Sequence, residues 1–438
     1  MLLGFMTALG LLTFTLAPSL LAKNETADDT PTVEASRLQS LAKFTKVLGI
    51  VEHYNVDEIT IEEIMDKALQ GLMTNLDAHS SYLNSKNFEN LKVQTNGEFG
   101  GLGITVGMRD GALTVIAPIE GTPADKAGLK SGDIILRIDG KSSLNMTIDD
   151  AVGVMRGKPG TPIMLTIIRK EENEPLEIKI VRDIIKIQSV YVKEIGDDIL
   201  YLRVTSFDKK VTKDVSKELK RYMGTRKGII LDLRNNPGGL LDQAVGLVDL
   251  FVDDGDIVSQ KGRDSAEDRV YKASSSNTLT HAPLVVLINE GSASASEIVS
   301  GALQDHRRAV LLGQKTFGKG SVQVILPITD NEAIKLTIAR YYLPSGRTIQ
   351  AVGVKPDINV IPGEIKTHEN KFKIKESDLK KHLESELEKM DNNASEKTDT
   401  FEGEDDNKTV ITPEMMQRDI QLKEAVDIVK ALIIVKGL

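Results

Sequence analysis

The sequence predicts a multidomain α/β protein: a helical N-terminal segment, a small partly open β-barrel with helices, a larger α/β core and a C-terminal helix. Three observations carry that expectation. Strand-like and helix-like apolar runs alternate from Ile195 to about residue 360, the pattern of a core sheet covered by helices. Short strand-like runs separated by glycine turns fill residues 98–182. Apolar residues recur at helical spacing over residues 33–96 and again over 413–435. A chain of 438 residues is long enough for two or three domains with cores of their own.

Taken in order, Leu2 to Leu21 is apolar and Ala22 is suited to end a cleavage site, so residues 1–22 predict a signal peptide or membrane anchor. A signal peptide begins with positive charge, whereas the first basic residue here is Lys23. The expectation is therefore a start further upstream, an atypical signal or an uncleaved anchor. Asn24 to Thr32 is polar and acidic, as in a linker. Leu38, Leu41, Phe44, Val47 and Leu48, then Ile61, Ile64, Ala68 and Leu72, predict a helical hairpin within residues 33–96. His79, in Leu76-Asp-Ala-His-Ser-Ser-Tyr82, is read as part of that hairpin and given no catalytic role.

Residues 98–182 hold the runs Leu113–Ala117, Asp133–Ile138, Ile163–Ile168 and Leu176–Val181, with one helix over Thr147–Met155. Beyond them come strands at Asp198–Val204, Lys227–Leu233, Leu284–Asn289, Ala309–Leu312 and Ile334–Tyr342, and helices at Val211–Met223, Leu240–Leu250 and Ile298–Leu303. Residues 256–280 are polar and poorly periodic and predict an insertion or flap. Residues 361–412 are rich in lysine and glutamate, with a solvated helix expected over Leu379–Met390 and disorder over Asn392–Lys408. Residues 413–438 form the C-terminal helix, whose apolar face needs a partner in this subunit or another.

Composition removes several kinds of chemistry. There is no cysteine, which excludes disulfides, a thiol nucleophile and thiolate metal sites. The formal net charge of −9 argues against a nucleic-acid partner. The six histidines are scattered, with no pair on one helical turn flanking a glutamate, so no zinc-protease motif and no metal is implied.

The chemistry concentrates in Gly291-Ser-Ala-Ser-Ala-Ser-Glu297 and Phe317-Gly-Lys-Gly-Ser-Val-Gln323. The first segment lies between a buried strand and a helix, so a serine there meets the free N–H groups of a helix start. Lys319 sits between two glycines beside apolar strands. A serine hydroxyl needs a neighbour to take its proton. A lysine serves only when neutral, and burial favours that form. Pattern alone does not choose among Ser292, Ser294 and Ser296. The N–H of the residue after the nucleophile is a natural oxyanion donor. A serine–histidine–aspartate triad through His306 and Asp305 is conceivable, but both are read as structural.

Gly101-Leu-Gly-Ile104 with Ala124-Asp-Lys-Ala-Gly-Leu-Lys-Ser-Gly-Asp133 resembles a PDZ domain, and the likeness covers residues 98–182. It implies that Gly101, Leu102, Gly103 and Ile104 form a carboxylate-binding loop for a chain end that adds as a strand. The serine and lysine segments, with Asn235-Asn-Pro-Gly-Gly239, resemble the C-terminal processing peptidases, tail-specific serine proteases of peptidase family S41. That resemblance spans nearly all of residues 35–360 and implies a crotonase- or ClpP-like α/β protease core over 183–360, split around the PDZ domain. In that family the nucleophile precedes the lysine by 25 positions, which implies Ser294 with Lys319. It also implies Gln323 as an assisting group, Gly238, Gly239 and Ala295 around the oxyanion, and Arg156 as a coupling residue between PDZ domain and protease.

The expected function is an envelope serine endopeptidase, either free in the periplasm or held at the inner membrane by its N-terminus, that takes the C-terminal tails of envelope proteins. No cofactor is implied, and the terminal helices suggest a homo-oligomer. The rival readings are a catalytically inert PDZ adaptor and an acyl-CoA enzyme of crotonase type.

Overall fold

The structure is a computed structural model that describes residues 33–109, 111–144, 146–170, 172–222, 224–265, 268–364 and 410–437. The expected signal or anchor (1–22), the linker after it, the helix at 379–390 and the low-complexity stretch 392–408 lie outside the described residues. The chain divides into two compact units, residues 1–71 and 72–438. The first holds α1 (Val33–Tyr54) and the opening turns of α2 (Ile61–Thr74). Thr60 and Glu63 start α2 reciprocally: the Glu63 N–H donates to Thr60 Oγ1 at 3.2 Å and the Thr60 N–H to Glu63 Oε2 at 3.1 Å. Among the described residues no helix is long and apolar enough to cross a membrane.

The second unit opens with β1 (Ser81–Leu83), α3 (Ser85–Asn96) and β2 (Glu98–Gly101). β1 corrects the all-helical expectation for residues 33–96. Its three residues have no helical spacing to satisfy, and they pair antiparallel with a distant strand, Ser81 opposite Lys335. Next come β3 (Ile104–Arg109), β4 (Ala112–Pro118), α4 (Pro123–Lys126), β5 (Ile134–Ile138), β6 (Lys141–Ser142), α5 (Ile148–Met155), β7 (Pro162–Ile168) and β8 (Leu176–Val181). They form one sheet in the order β3-β4-β5-β7-β8, with β6 on β5. Val115, Ile135, Ile138, Leu165 and Ile167 fill its core, closed by Ala151 and Met155 of α5. Thr147 caps α5, with Asp150 returning the bond. β9 (Asp183–Lys186) pairs with β2, so the chain enters and leaves this module through one two-stranded ribbon.

The remaining strands build two sheets. β10 (Val190–Ile195), β11 (Ile199–Val204), α6 (Val211–Tyr222), β12 (Gly228–Asp232) and α7 (Leu241–Asp249) lead to β13 (Asp256–Gly262) and β14 (Arg269–Lys272). Then follow β15 (Leu284–Ile288), α8 (Ala295–Asp305), β16 (Val310–Gly313), β17 (Ser321–Pro327), β18 (Ala333–Tyr342) and β19 (Ile358–Asn359). After the undescribed segment come α9 (Pro413–Gln417) and α10 (Ile420–Val435). The central sheet runs β10-β11-β12-β15-β16-β19 and is parallel from β11 onward. A second, antiparallel sheet runs β1-β18-β13-β14, with β17 also on β18. The polar stretch 256–280 therefore holds a hairpin rather than only a flap. Ile257 and Val258 are buried, whereas the β14 residues beside them are mostly exposed, which hides the strand pattern.

Parity assigns the two faces of the central sheet, because successive side chains point to opposite sides. Ile229, Leu231, Leu284, Val286 and Ile288 face α6, α7 and α8. Ile257, Val322 and Tyr341 of the second sheet join that cluster, so the helices are packed between sheets. Ile230, Val285, Leu287 and Leu312 face the other way and meet Leu422, Ala425, Val426, Val429 and Ile433 of α10. The C-terminal helix thus finds its partner within this subunit. Its cap Asp419 accepts the Leu422 N–H at 3.1 Å and pairs with Arg234 at 2.7 Å. Arg234 also grips buried Asp232, and Gln421 accepts from it at 3.0 Å. Burial pushes the Asp419 carboxyl up, but Arg234 outweighs it and holds the group below the usual range.

α10 lies so close to β12 that a Cβ on Gly228 would stand 2.2 Å from Val429 Cγ1. We expect Gly228→Ala to force the helix outward and cost about 1–3 kcal/mol in urea unfolding. An unchanged midpoint would contradict this packing.

Candidate active site

β15 is a continuous apolar run that ends at Ile288, and α8 begins seven residues later at Ala295. Between them the chain turns sharply. Ser294 takes φ +54° and ψ −111°, a region that residues with a Cβ rarely visit. Such a conformation costs on the order of 1–3 kcal/mol and persists only where its surroundings over-determine it.

Those surroundings are buried polar groups. Ser292 Oγ donates to the Leu233 carbonyl at 2.8 Å and Ser296 Oγ to the Asn236 carbonyl at 2.9 Å. The Ala293 N–H also donates to the Asn236 carbonyl, at 3.0 Å. Ser292, Ser296 and Asn236 are fully buried, and Ser294 is the member of the serine triplet that reaches the surface. The turn after β12 is in turn fixed by Asn236, whose Nδ2 donates to the Val204 carbonyl at 2.8 Å and whose Oδ1 accepts the Gly238 N–H at 2.9 Å. Gly238 presses on the strained serine: a Cβ there would lie 2.9 Å from Ser294 Cβ and 3.0 Å from the Ala295 nitrogen. Among the described residues, the N–H groups of Gly239 and Ala295 donate to no protein acceptor.

Glu297 ties the serine turn to the lysine loop. It is fully buried on the first turn of α8. Its Oε2 accepts the N–H of Ser294 at 2.8 Å and the N–H of Lys319 at 2.8 Å. Its Oε1 accepts the Gly318 N–H at 2.7 Å and the Thr316 hydroxyl at 2.6 Å. One oxygen atom therefore sets the separation of the two main-chain segments. The sequence reading gave Glu297 no role, although an acidic residue three positions into a helix is a capping signal.

Lys319 is half-buried. Burial lowers its pKa below the ordinary lysine range, the Lys335 ammonium lowers it further, and Glu297 pulls the other way. Gln323 follows on β17, just after a bulge, and pairs across to Thr337 of β18. Its Nε2 donates to Ser321 Oγ at 2.7 Å and to Thr337 Oγ1 at 3.4 Å. His79 is also near: burial depresses its pKa first, and the charge of Lys319 next. The sequence gives His79 no catalytic role, and it is the turn before β1 that brings it close to Lys319. Asp305 and His306 lie at the opposite end of α8. Asp305 pairs with Arg347 at 2.9 Å and His306 Nε2 meets the Asp256 carbonyl at 2.7 Å, so they form no triad with Ser294.

In the barrel module, β3 is the edge strand beside α5, and Leu102 and Gly103 form the loop that leads into it. Their carbonyls are taken by the Ala124 and Ile119 N–H groups at 2.9 and 2.8 Å, while neither Leu102 nor Gly103 donates its own N–H to a described residue. Gly101 ends β2 and Ile104 begins β3. Arg156, which ends α5, donates to Asn90 Oδ1 of α3 at 2.8 Å and lies 4.9 Å from the Phe99 ring of β2.

The site thus joins a serine turn at the carboxyl edge of a parallel sheet to a half-buried lysine loop, in a chain that also carries a separate small β-module. Comparison with known proteins gives the family. Residues 198–360 match peptidase family S41 and residues 114–169 match a PDZ domain. The carboxy-terminal-processing protease of Bartonella bacilliformis is 41% identical over 400 residues, which cover 90% of this chain and 88% of that protein. The carboxy-terminal processing protease CtpA of Bacillus subtilis is 34% identical over 322 residues, 72% of this chain and 69% of the relative. Among solved structures, a photosystem II D1 C-terminal processing protease is 27% identical, covering 74% of this chain and 88% of its own, with a TM-score of 0.43. The chain belongs to the carboxy-terminal-processing proteases of peptidase family S41.

All four groups bonded to Glu297 are donors, so an amide in its place would turn an NH₂ toward two of them. Glu297→Gln should therefore lose about 2 kcal/mol or more of stability and most proteolysis, despite its shape. Wild-type melting and casein cleavage in that variant would contradict the clamp.

Proposed function

We propose that this protein is an envelope serine endopeptidase that captures C-terminal tails through its PDZ domain and cleaves them with a Ser294–Lys319 dyad. The observation that carries the reading is Ser294 itself. Of three neighbouring serines it alone is accessible, it sits on a strained turn, and one buried carboxylate holds its backbone against that of Lys319. The envelope setting rests on the apolar residues 1–22.

In this mechanism neutral Lys319 takes the Ser294 hydroxyl proton as Oγ attacks the scissile carbonyl carbon. The N–H of Ala295 and one from the Pro237-Gly238-Gly239 turn stabilise the oxyanion. In that turn Gly239 has the uncommitted N–H, while Gly238 provides the close contact. Lys319 then gives its proton to the leaving amine, and the acyl-enzyme is released by water activated in the same way. Gln323 orients the lysine. The tail lies along the free edge of β3 with its carboxylate at Gly101–Ile104. Arg156, which contacts Asn90 of α3 and Phe99 of β2, passes tail docking toward the protease core in this reading.

Casein cleavage should vanish in Ser294→Ala and Lys319→Ala with folding intact. Undiminished cleavage in either variant overturns the dyad, and an inactive wild type favours the inert adaptor. The pH dependence tests the base. Because burial and Lys335 lower the Lys319 pKa, kcat/KM should climb with pH and level off below the ordinary lysine value of about 10.4. Lys335→Met removes a like charge, so the lysine pKa should rise and the profile move to higher pH. Activity near pH 7 should fall and the alkaline plateau should stay. A profile that does not move, or moves to lower pH, would remove Lys319 as the titrating group.

A further inference from the structure

We infer that Asp77, acting through the Thr337 hydroxyl, fixes which way the Gln323 amide faces, and is thereby a positioning residue for Lys319. The inference rests on the dyad reading above and adds to it a residue from a segment that the sequence treats as part of a helical hairpin.

Asp77 lies in the turn before β1 and gathers donors: the N–H groups of His79 and Ser80 at 2.7 and 2.9 Å, and the Ser80 hydroxyl at 2.5 Å. Thr337 Oγ1 is a further donor, at 3.2 Å. Burial alone would raise the Asp77 pKa, but these donors outweigh it and bring it down to about 2. The side chain is therefore an acceptor throughout the working pH range. Thr337 has one hydroxyl hydrogen, and Asp77 takes it. The threonine oxygen can then only accept, so the end of Gln323 that faces it, 3.4 Å away, must be the NH₂. Ser321 Oγ accepts the same nitrogen at 2.7 Å. Gln323 Oε1 is left to face away from this knot as an acceptor. A neutral lysine needs such a group: one of its N–H bonds is held while its lone pair stays on the serine. If the amide turned over, its NH₂ would compete for that lone pair.

The fold supplies the geometry. β18 lies between β17 and β1, so Thr337 stands opposite Gln323 on one side, and its N–H donates to Ser80 Oγ at 3.1 Å on the other. The charged groups around the knot are His79, Lys319 and Lys335. Replacing Asp77 alters the field at His79, whereas Thr337→Val changes no charge, so the threonine variant separates orientation from electrostatics.

The test is a double-mutant cycle on a quenched-fluorescent casein, with kcat and KM determined for each variant. Thr337→Val should lower kcat about tenfold with KM within about twofold, and Thr337→Ser should restore it. Asp77→Asn should lower kcat at least as far. In a Gln323→Ala background, Thr337→Val should cost less than about twofold more, because there is no amide left to orient. A purely structural role would give the same loss in both backgrounds, and that result overturns the inference, as would full activity of Thr337→Val. If Gln323→Ala itself retains wild-type kcat, the role of Gln323 in the dyad fails and this inference falls with it. If Gln323→Ala is impaired but Thr337→Val is not, only this inference fails.

Discussion

The active region depends on one buried carboxylate. Glu297 accepts hydrogen bonds from Ser294, Thr316, Gly318 and Lys319, and so joins two loops that belong to different sheets. Ser294 ends the turn after β15 of the central sheet, and Lys319 precedes β17 of the second. Neither sheet alone fixes their distance. A lone buried carboxylate would carry a large desolvation penalty, and four directed donors offset it. The same bonds bring main-chain N–H groups that a tight loop would otherwise leave unpaired into a satisfied arrangement.

In the rest of the site, strain and desolvation fall on Ser294 and Lys319. Ser294 holds an unfavourable φ, and Lys319 stands where its charge is disfavoured. Around them, Ser292, Ser296 and Asn236 are buried with their hydrogen bonds made. Behind the Asn235–Gly239 turn, Arg234 is fastened to Asp232, Asp419 and Gln421, so the C-terminal helix helps to hold the residue that begins that turn. A strained residue needs such over-determination, because a looser frame would relax it.

How much of this was legible in the sequence depends on whether each signal was local. β12 and β15 are buried on both faces, and their unbroken apolar runs announced them. α10 was legible from its spacing, but its partner became known only when Ile230 and Val285 appeared against it. The hairpin β13–β14 was missed because β14 is largely exposed, and β1 because its three residues are defined by a partner about 250 positions away. The serine triplet shows the same limit. Local pattern treats Ser292, Ser294 and Ser296 alike. What separates them is contact with the Leu233 and Asn236 carbonyls, some 60 residues upstream. A family spacing to Lys319 pointed to Ser294 without that physical reason.

The knot at Asp77 carries this further. Its members, Asp77, Ser80, Thr337 and Gln323, come from segments some 250 residues apart, and none stands out from its neighbours in sequence. They matter together because hydrogen bonds have direction. A carboxylate that only accepts sets the proton of a hydroxyl, and the hydroxyl sets the face of an amide. Position alone would leave Gln323 free to present either end to the lysine. The N-terminal part of the second unit thus contributes more than a strand to the edge of a sheet: it also decides which end of the Gln323 amide faces Thr337. Under the proposed mechanism, a lysine that is neutral only through its surroundings is exposed to any change in them, and a segment joined to those surroundings is a natural place for such a change to begin.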